Sequence, residues 1–338
     1  MKKKHVTKSG LSFVCGGVAT VLALVAAPAQ ATLILTADGT SLGFSLSTFA
    51  TFPGNTPDGY GPFGIAMTTN GNVLVSDYAS TTRYVFSDVD GQTPASALGS
   101  VASNSSTSAY ATAGGVPYGG EAGVFVKFNN DGTVNSSIVP GVGVYLGMWG
   151  NPVNGHIIAT SSIGLIDIDP IANTYRTING GVYGDGVSVS PDGLTAYVEI
   201  GCGIQSYNIA TGVAGFSTGN ISGCADGTGV ISSSNSLNGD IVINTNGDGV
   251  WLYDIVTSSL KQIISESGER GDYVSPDTSN GTLFLAESTL VARLSCGPNC
   301  AIGSSLPPPV DTVPEPMTLG LFGAGLTGLA AMRRRRKQ

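Results

Sequence analysis

One short pattern recurs along the middle of this chain at an interval that few folds produce. It begins Phe63-Gly64-Ile65-Ala66-Met67, turns at Asn70-Gly71 and runs on through Asn72-Val73-Leu74-Val75-Ser76-Asp77. An Asn-Gly or Asp-Gly turn returns at Asn154-Gly155, Asp192-Gly193, Asn238-Gly239 and Asn280-Gly281, at intervals of 84, 38, 46 and 42 residues. Such dipeptides between short Val- and Ile-rich runs are hairpin turns, because these residues accept the positive φ that a tight two-residue loop needs. The first interval is about twice the others, which places a unit with a degraded turn inside it. Gly123-Val124-Phe125-Val126-Lys127-Phe128 supplies the third strand of that unit, matching Gly164–Asp169 and Gly249–Asp254 in form. A period near 40 residues with four short strands per unit predicts a β-propeller. Five turns and the degraded one predict six blades, with a seven-bladed ring or a β-sandwich as the alternative. The last unit stops early, after Thr289–Leu294. The N-terminal stretches Leu33–Thr36 and Gly43–Leu46 are expected to complete its sheet, closing the ring and removing an exposed edge.

The ends of the chain differ in kind from this middle. Lys2, Lys3, Lys4 and Lys8 precede an apolar run from Leu11 to Ala27, and Ala29-Gln30-Ala31 follows. That order predicts a secretory signal peptide over residues 1–31, cut after Ala31 with Ala29 and Ala31 in the peptidase pocket. The apolar run is shorter than the roughly 20 residues a spanning helix needs. At the other end, Pro314-Glu315-Pro316 precedes an uncharged stretch from Met317 to Met332 and then Arg333-Arg334-Arg335-Arg336-Lys337. The basic cluster resists translocation and keeps that end cytoplasmic. This three-part tail resembles the PEP-CTERM sorting signal of Gram-negative bacteria. The resemblance implies that an exosortase, a membrane-embedded cysteine protease, recognises the Pro-Glu-Pro site. It implies export through the inner membrane, signal peptidase and exosortase as processing partners, and transient membrane insertion through a C-terminal helix. The final location is then the cell surface or the extracellular space. The expected organisation is a signal peptide at 1–31, a propeller at 32–302, a Pro-rich linker at 303–313 and the sorting tail at 314–338.

Removing both tails changes the charge sharply. Only Arg83, Lys127, Arg176, Lys261, Arg270 and Arg293 remain as basic residues, against 23 Asp and Glu. A surface so acidic repels phosphate backbones, which excludes nucleic acid as a partner. Cys15 leaves with the signal peptide, so Cys202, Cys224, Cys296 and Cys300 form an even set suited to an oxidising compartment, with three pairings open. Their spacing does not match a zinc site, and the mature chain keeps a single histidine, His156.

The segment Gly64–Asp77 reads Gly-Ile-Ala-x-x-x-x-Gly-Asn-Val-x-Val-x-Asp and resembles NHL-type and gluconolactonase-like blades. In a blade of that kind the first strand lines the central channel. The loop between the second and third strands then shares a face with the link into the next blade. That arrangement makes Cys202 and Cys224 neighbours, and leaves Cys296–Cys300 to close the loop Gly297-Pro298-Asn299.

Six residues past each turn glycine lie Asp77, Ser161, Glu199, Thr245 and Glu287; just before or within first strands lie Asp185, Asp226 and Asp272. Both sets are expected near one rim of the ring. The six carboxylates Asp77, Asp185, Glu199, Asp226, Asp272 and Glu287 are therefore candidate ligands for Ca²⁺ or a similar hard cation, which takes oxygen donors. The gluconolactonase-like resemblance implies a catalytic metal in this region, held by acidic and Asn side chains, but that family's ligand set has no match here residue by residue. The competing expectation is that these acids cap turns. Asn244–Gly249 starts like a calcium loop, yet Ile255 stands where the bidentate Glu belongs. It and Asp88-Val89-Asp90-Gly91 read as tight turns. No Gly-x-Ser-x-Gly elbow and no phosphate-binding loop occur. Tyr60, Tyr118, Tyr145, Trp149, Tyr183 and Tyr273 fall near blade starts, where an aromatic rim stacks sugars or packs between blades. Two functions follow. The first is a non-catalytic surface or matrix protein binding a polysaccharide, a cation or a surface partner; the alternative is a metal-dependent lactonase-like hydrolase.

Overall fold

The computed structural model describes residues 32–103, 109–266 and 270–304. The signal peptide with Ala29 and Ala31, and the sorting tail with Pro314, Glu315 and Pro316, lie outside the described residues.

Two short strands come first, β1 (Ile34–Leu35) and β2 (Ser45–Thr51), with a single helical turn, α1 (Ala37–Ser41), between them. Blade 1 follows as β3 (Pro62–Met67), β4 (Val73–Asp77), β5 (Thr82–Phe86) and β6 (Gly99–Ala102). Blade 2 is β7 (Tyr110–Ala113), β8 (Val116–Glu121), β9 (Val124–Phe128) and β10 (Val134–Ser137). Blade 3 is β11 (Val144–Gly150), β12 (Ile157–Ser161), β13 (Gly164–Asp169) and β14 (Thr174–Asn179). Blade 4 is β15 (Val187–Val189), β16 (Thr195–Ile200), β17 (Gly203–Asn208) and β18 (Ala214–Ser217). Blade 5 is β19 (Ala225–Ser233), β20 (Ile241–Thr245), β21 (Val250–Asp254) and β22 (Ser259–Ser265). The last consecutive strands are β23 (Gly271–Pro276), β24 (Leu283–Glu287) and β25 (Leu290–Ser295), and a final short strand is β26 (Cys300–Ile302).

Every sheet is antiparallel and built on a meander of consecutive strands, and the protein is a six-bladed β-propeller. The degraded unit of the sequence is blade 2. Its turn is Gly114-Gly115, where both residues carry positive φ (57° and 74°), whereas at the other turns only the glycine does. With Gly115 added, the turn glycines fall 44, 40, 38, 46 and 42 residues apart.

The ring closes as anticipated in one part and differently in another. β2 is the outer strand of blade 6, paired with β25 from Ser45↔Ser295 to Thr51↔Leu290. Leu33–Thr36 does not join that sheet. β1 adds instead to the outer edge of blade 5, with Ile34 opposite Ser265, and Thr36 clamps it by bonding to the Ile263 and Gln262 carbonyls. The helical turn separates the two pairings, so one N-terminal segment covers two adjacent blades. β26 is a further addition: it pairs with the last residues of β19, Ile231–Ser233, on the inner side of blade 5.

The blades hold together through apolar layers between successive sheets, each contributing Val, Ile, Leu or Phe from both faces. At the closure Phe49 of β2 packs edge-on against Phe284 of β24 and Phe86 of blade 1, with ring centroids 4.9 and 6.1 Å apart. The two disulfides are Cys202–Cys224, joining the β16–β17 loop to the approach of blade 5, and Cys296–Cys300, bracing the approach to β26.

Candidate functional site

The centre of the ring is filled. Tyr273 is fully buried and donates its hydroxyl to the carbonyls of Tyr110, at 2.7 Å, and Met148, tying blade 6 to blades 2 and 3. Phe63 stacks on its ring at 6.3 Å, and the hydroxyls of Ser188 and Thr228 meet at 2.6 Å between blades 4 and 5. These contacts plug the channel and leave two mouths with separate chemistry.

The first mouth is on the face where the innermost strands begin. Asp226 is the second residue of β19, Asp272 the second of β23, and Asp185 stands two residues before β15. They line a cavity of about 120 Å³ together with Tyr60, Tyr273 and Arg270. Arg270 is the residue that sequence reasoning missed. Its Nε donates to Asp272 Oδ1 at 2.9 Å, its Nη2 lies 3.3 Å from Asp226 Oδ2, and the Tyr60 ring sits 4.6 Å from its guanidinium carbon. Burial pushes the Asp226 carboxyl up to about 8, reinforced by the charge of Asp272 and opposed by Arg270. Burial raises Asp272 to about 6 against the pull of Arg270, and raises Asp185 as well. Burial also works against the charge of Arg270, but Asp272 and Asp226 outweigh it and hold the guanidinium pKa up.

Glu199 lies beneath this mouth, against Gly186, where a Cβ would come within 2.5 Å of its carboxylate. Neither carboxylate oxygen has a hydrogen-bond partner that meets distance and angle limits, and only 3% of the residue is exposed. Its pKa stands well above the usual carboxylate range, first through burial and then through the charges of Asp226 and Asp185. Glu287 is buried at the end of β24 and accepts from Asn244 Nδ2 at 3.3 Å. Asp77, at the end of β4, accepts from the Ala79 N–H at 3.3 Å and caps its own turn.

The structure therefore gathers Asp185, Asp226 and Asp272 at one mouth with Glu199 below, and does not gather Asp77 or Glu287 there. Among the described residues no group of three or more His, Cys, Asp or Glu side chains is arranged to hold a metal ion. The guanidinium of Arg270 stands between Asp226 and Asp272, where a cation bridging them would sit. The aromatic rim divides in the same way. Tyr118, Trp149 and Tyr273 are buried as packing, while Tyr145 and Tyr183 are exposed. Asn244–Gly249 is a tight turn, with Thr245 Oγ1 donating to the Gly249 carbonyl and accepting from the Asp248 N–H.

Two other charged clusters are structural. The guanidinium of Arg83 in blade 1 is buried against Tyr110 Oη (2.8 Å), the Gly132 carbonyl (2.6 Å) and Glu121 of blade 2. Glu121 stands six residues past Gly115, so the spacing rule that marked Asp77 and Glu199 reaches it once the Gly114-Gly115 turn is recognised. Arg293 of β25 joins Asp88, Asp90 and Asp277 at the ring closure. A usable signal was present: with six basic residues against 23 acids, each Arg was a candidate for an inter-strand or inter-blade pair.

The fold is that of a six-bladed β-propeller, and solved propellers are similar to it. A gluconolactonase of Xanthomonas campestris is similar over 78% of this chain and 94% of its own, at 14% identity and a TM-score of 0.56. A streptogramin B lyase covers 75% of this chain and 97% of its own, at 13% identity and a TM-score of 0.46. At these identities the likeness is one of fold. No curated protein matches the chain. What is particular to it is the tail: the PEP-CTERM protein-sorting motif matches residues 312–336. That motif implies export, processing by an exosortase and cell-surface sorting in a Gram-negative bacterium.

Proposed function

We propose that this is an exosortase-sorted surface or extracellular-matrix protein whose propeller binds its ligand without transforming it. Residues 1–31 leave as a signal peptide, 32–302 form the binding propeller, 303–313 link it to the tail, and 314–338 are consumed in sorting. The ligand is a polysaccharide, a cation or another surface component. The observation that carries this reading is Arg270. A lactonase-like hydrolase needs a metal with open coordination positions beside its substrate. Here the acids suited to that task are engaged by an internal guanidinium, so the residues present do not fit a catalytic metal. The test is lactone hydrolysis by the exported protein with Ca²⁺, Mn²⁺ or Zn²⁺ supplied. Turnover at the uncatalysed rate with every metal is expected. Turnover that EDTA abolishes, and that Asp185→Ala or Asp226→Ala also removes, would replace this reading with the hydrolase.

One observation favours a second reading, in which the first mouth takes a hard cation such as Ca²⁺. The Glu199 carboxylate is buried without a hydrogen-bond partner meeting distance and angle limits, beside Asp185 and Asp226. An arriving divalent ion would have to displace Arg270 and draw these carboxylates together, since they do not form a metal-holding group as they stand. A Ca²⁺-dependent rise in melting temperature, reversed by EDTA and lost in Glu199→Gln, supports it; identical melting in Ca²⁺ and EDTA refutes it.

A further inference from the structure

The second mouth of the plugged channel, on the face where the first hairpins turn, is larger and chemically opposite to the first. Its cavity is about 460 Å³, inside the range of small-molecule sites, whereas the 120 Å³ at the acidic mouth suits an ion or a few waters. The turns of blades 2, 3 and 6 and the residues after β26 enclose it. Although acids outnumber bases almost fourfold in the middle of the chain, no charged residue among the described ones lines this cavity. An ionic ligand would find no counter-charge here, so the chemistry selects a neutral one.

The walls offer neutral hydrogen-bonding groups and small apolar patches. Gly114, Gly115, Gly150, Gly155 and Gly303 leave backbone bare along the lining, and Pro152 and Val153 supply apolar surface. Close approach keeps this arrangement: a Cβ at Gly150 would fall 1.9 Å from the Thr112 carbonyl oxygen, and one at Gly303 would fall 2.4 Å from the Trp149 ring. One polar side chain of this wall, Ser304, has no partner among the described residues, and a second unmatched group, the Trp149 indole, lies behind the wall. Ser304 lines the cavity, is 6% exposed, and its hydroxyl makes no hydrogen bond; Trp149 packs under Gly303 with its indole Nε1 also unmatched. Buried polar groups are normally paired, so the unpaired Ser304 hydroxyl in the lining marks the cavity as built for a partner. The partner must be neutral, rich in hydroxyls and small enough for the space. The lining is also firmly held, since β26 pairs with β19 and the Cys296–Cys300 disulfide braces its approach.

We propose that this cavity is a saccharide site that takes one neutral sugar unit, free or at the end of a glycan. The inference rests on the binding reading above and gives that reading a ligand class and a location. It moves the sugar from the aromatic rim of the acidic face to the opposite mouth. The one aromatic nearby, Trp149, is buried behind Gly303 and does not line the cavity.

The experiment is calorimetric titration of the exported protein with glucose, galactose, mannose, N-acetylglucosamine and cellobiose. Glucuronate and glucosamine serve as charged counterparts, and tryptophan emission is followed in parallel. At least one neutral sugar is expected to bind one-to-one, at least 10-fold tighter than its charged counterpart. Thr278→Trp, an exposed turn residue at the rim of the cavity, should abolish binding by occupying the space. Ser304→Ala should weaken it about 3- to 10-fold, the worth of one hydrogen bond. Unchanged melting temperatures establish that both variants fold. Binding that survives Thr278→Trp but falls in Tyr183→Ala puts the sugar on the acidic face; it overturns the site and leaves the binding reading standing. No binding of any neutral sugar overturns the proposal, and the binding reading then rests on cations and surface partners alone.

Discussion

Arg293 closes the ring, and replacing it measures what that closure contributes. Its Nη2 lies 2.5 Å from Asp88 Oδ1 and its Nη1 2.7 Å from Asp277 Oδ2; Nε sits 2.9 Å from Asp90 Oδ1 without hydrogen-bond alignment. The guanidinium lies over the contacting Phe49 and Phe284 rings, with its central carbon 5.2 and 4.8 Å from their centroids. It thus joins β2, the blade 1 loop and the first hairpin of blade 6. Arg293→Met keeps the stem and removes the charge. Breaking a buried pair from one side costs about 3–5 kcal/mol, because the remaining charge is stranded. Asp277 is fully buried, but it keeps bonds from Ser279 and Asn280, which favours the lower end. Asp90 is half exposed and adds little. A loss of about 3 kcal/mol corresponds to a fall in melting temperature of roughly 6–12 °C for a domain somewhat under this size. Burial already raises the Asp277 pKa, so its carboxyl takes up a proton in acid and the deficit of the variant should shrink from pH 8 to pH 5. Asp277→Asn placed on Arg293→Met should recover much of the loss. Melting within about 2 °C of the parent at pH 7, or no recovery in the double variant, would refute the reasoning.

Other outcomes follow from the same contacts. Asp226 and Asp272 have folded pKa values of about 8 and about 6 against about 4 in an unfolded chain, so the native state holds protons that the unfolded state has released. Their contribution to stability is complete below about pH 4 and is lost as pH rises through 6 to 8; the urea midpoint should be higher at pH 5 than at pH 8, and Asp226→Asn should flatten that slope. Replacing Cys202 and Cys224 by Ser opens a loop with a sequence separation of 22 and should cost about 3 kcal/mol, more than opening the four-residue separation of Cys296–Cys300; melting of each double variant ranks them. Tyr273→Phe removes a hydroxyl from two buried carbonyls and should cost about 1–3 kcal/mol in denaturant unfolding without changing the radius of gyration seen by scattering.

Most of the architecture was legible in the sequence because a propeller is written locally. Each hairpin needs its own turn residues and each strand its own alternation, so Asn70-Gly71 and its successors mark the blades one at a time. The pairing of Cys202 with Cys224 was implied by the resemblance to NHL-type and gluconolactonase-like blades, the residues alone leaving three pairings open. The blade 2 turn was harder to see, since it is a two-residue link with positive φ at both Gly114 and Gly115, unlike the longer Asn-Gly loops, and Glu121 was lost with it. The division of the N-terminus between two blades was not legible, because Ile34 and Ser45 find partners 231 and 250 residues away and nothing nearby selects them.

By itself, then, the order of residues determined the repeat, the blade number, the acidic character and the sorting tail, all of which depend on neighbours in the chain. Only the tertiary structure decided how the charges are spent. Arg270 meets Asp226 across 44 residues and Arg293 meets Asp88 across 205, distances over which no spacing rule operates. A guanidinium goes wherever closing the ring brings carboxylates within its reach. That packing engaged the acids of one channel mouth internally and left the other mouth open, neutral and lined with bare backbone.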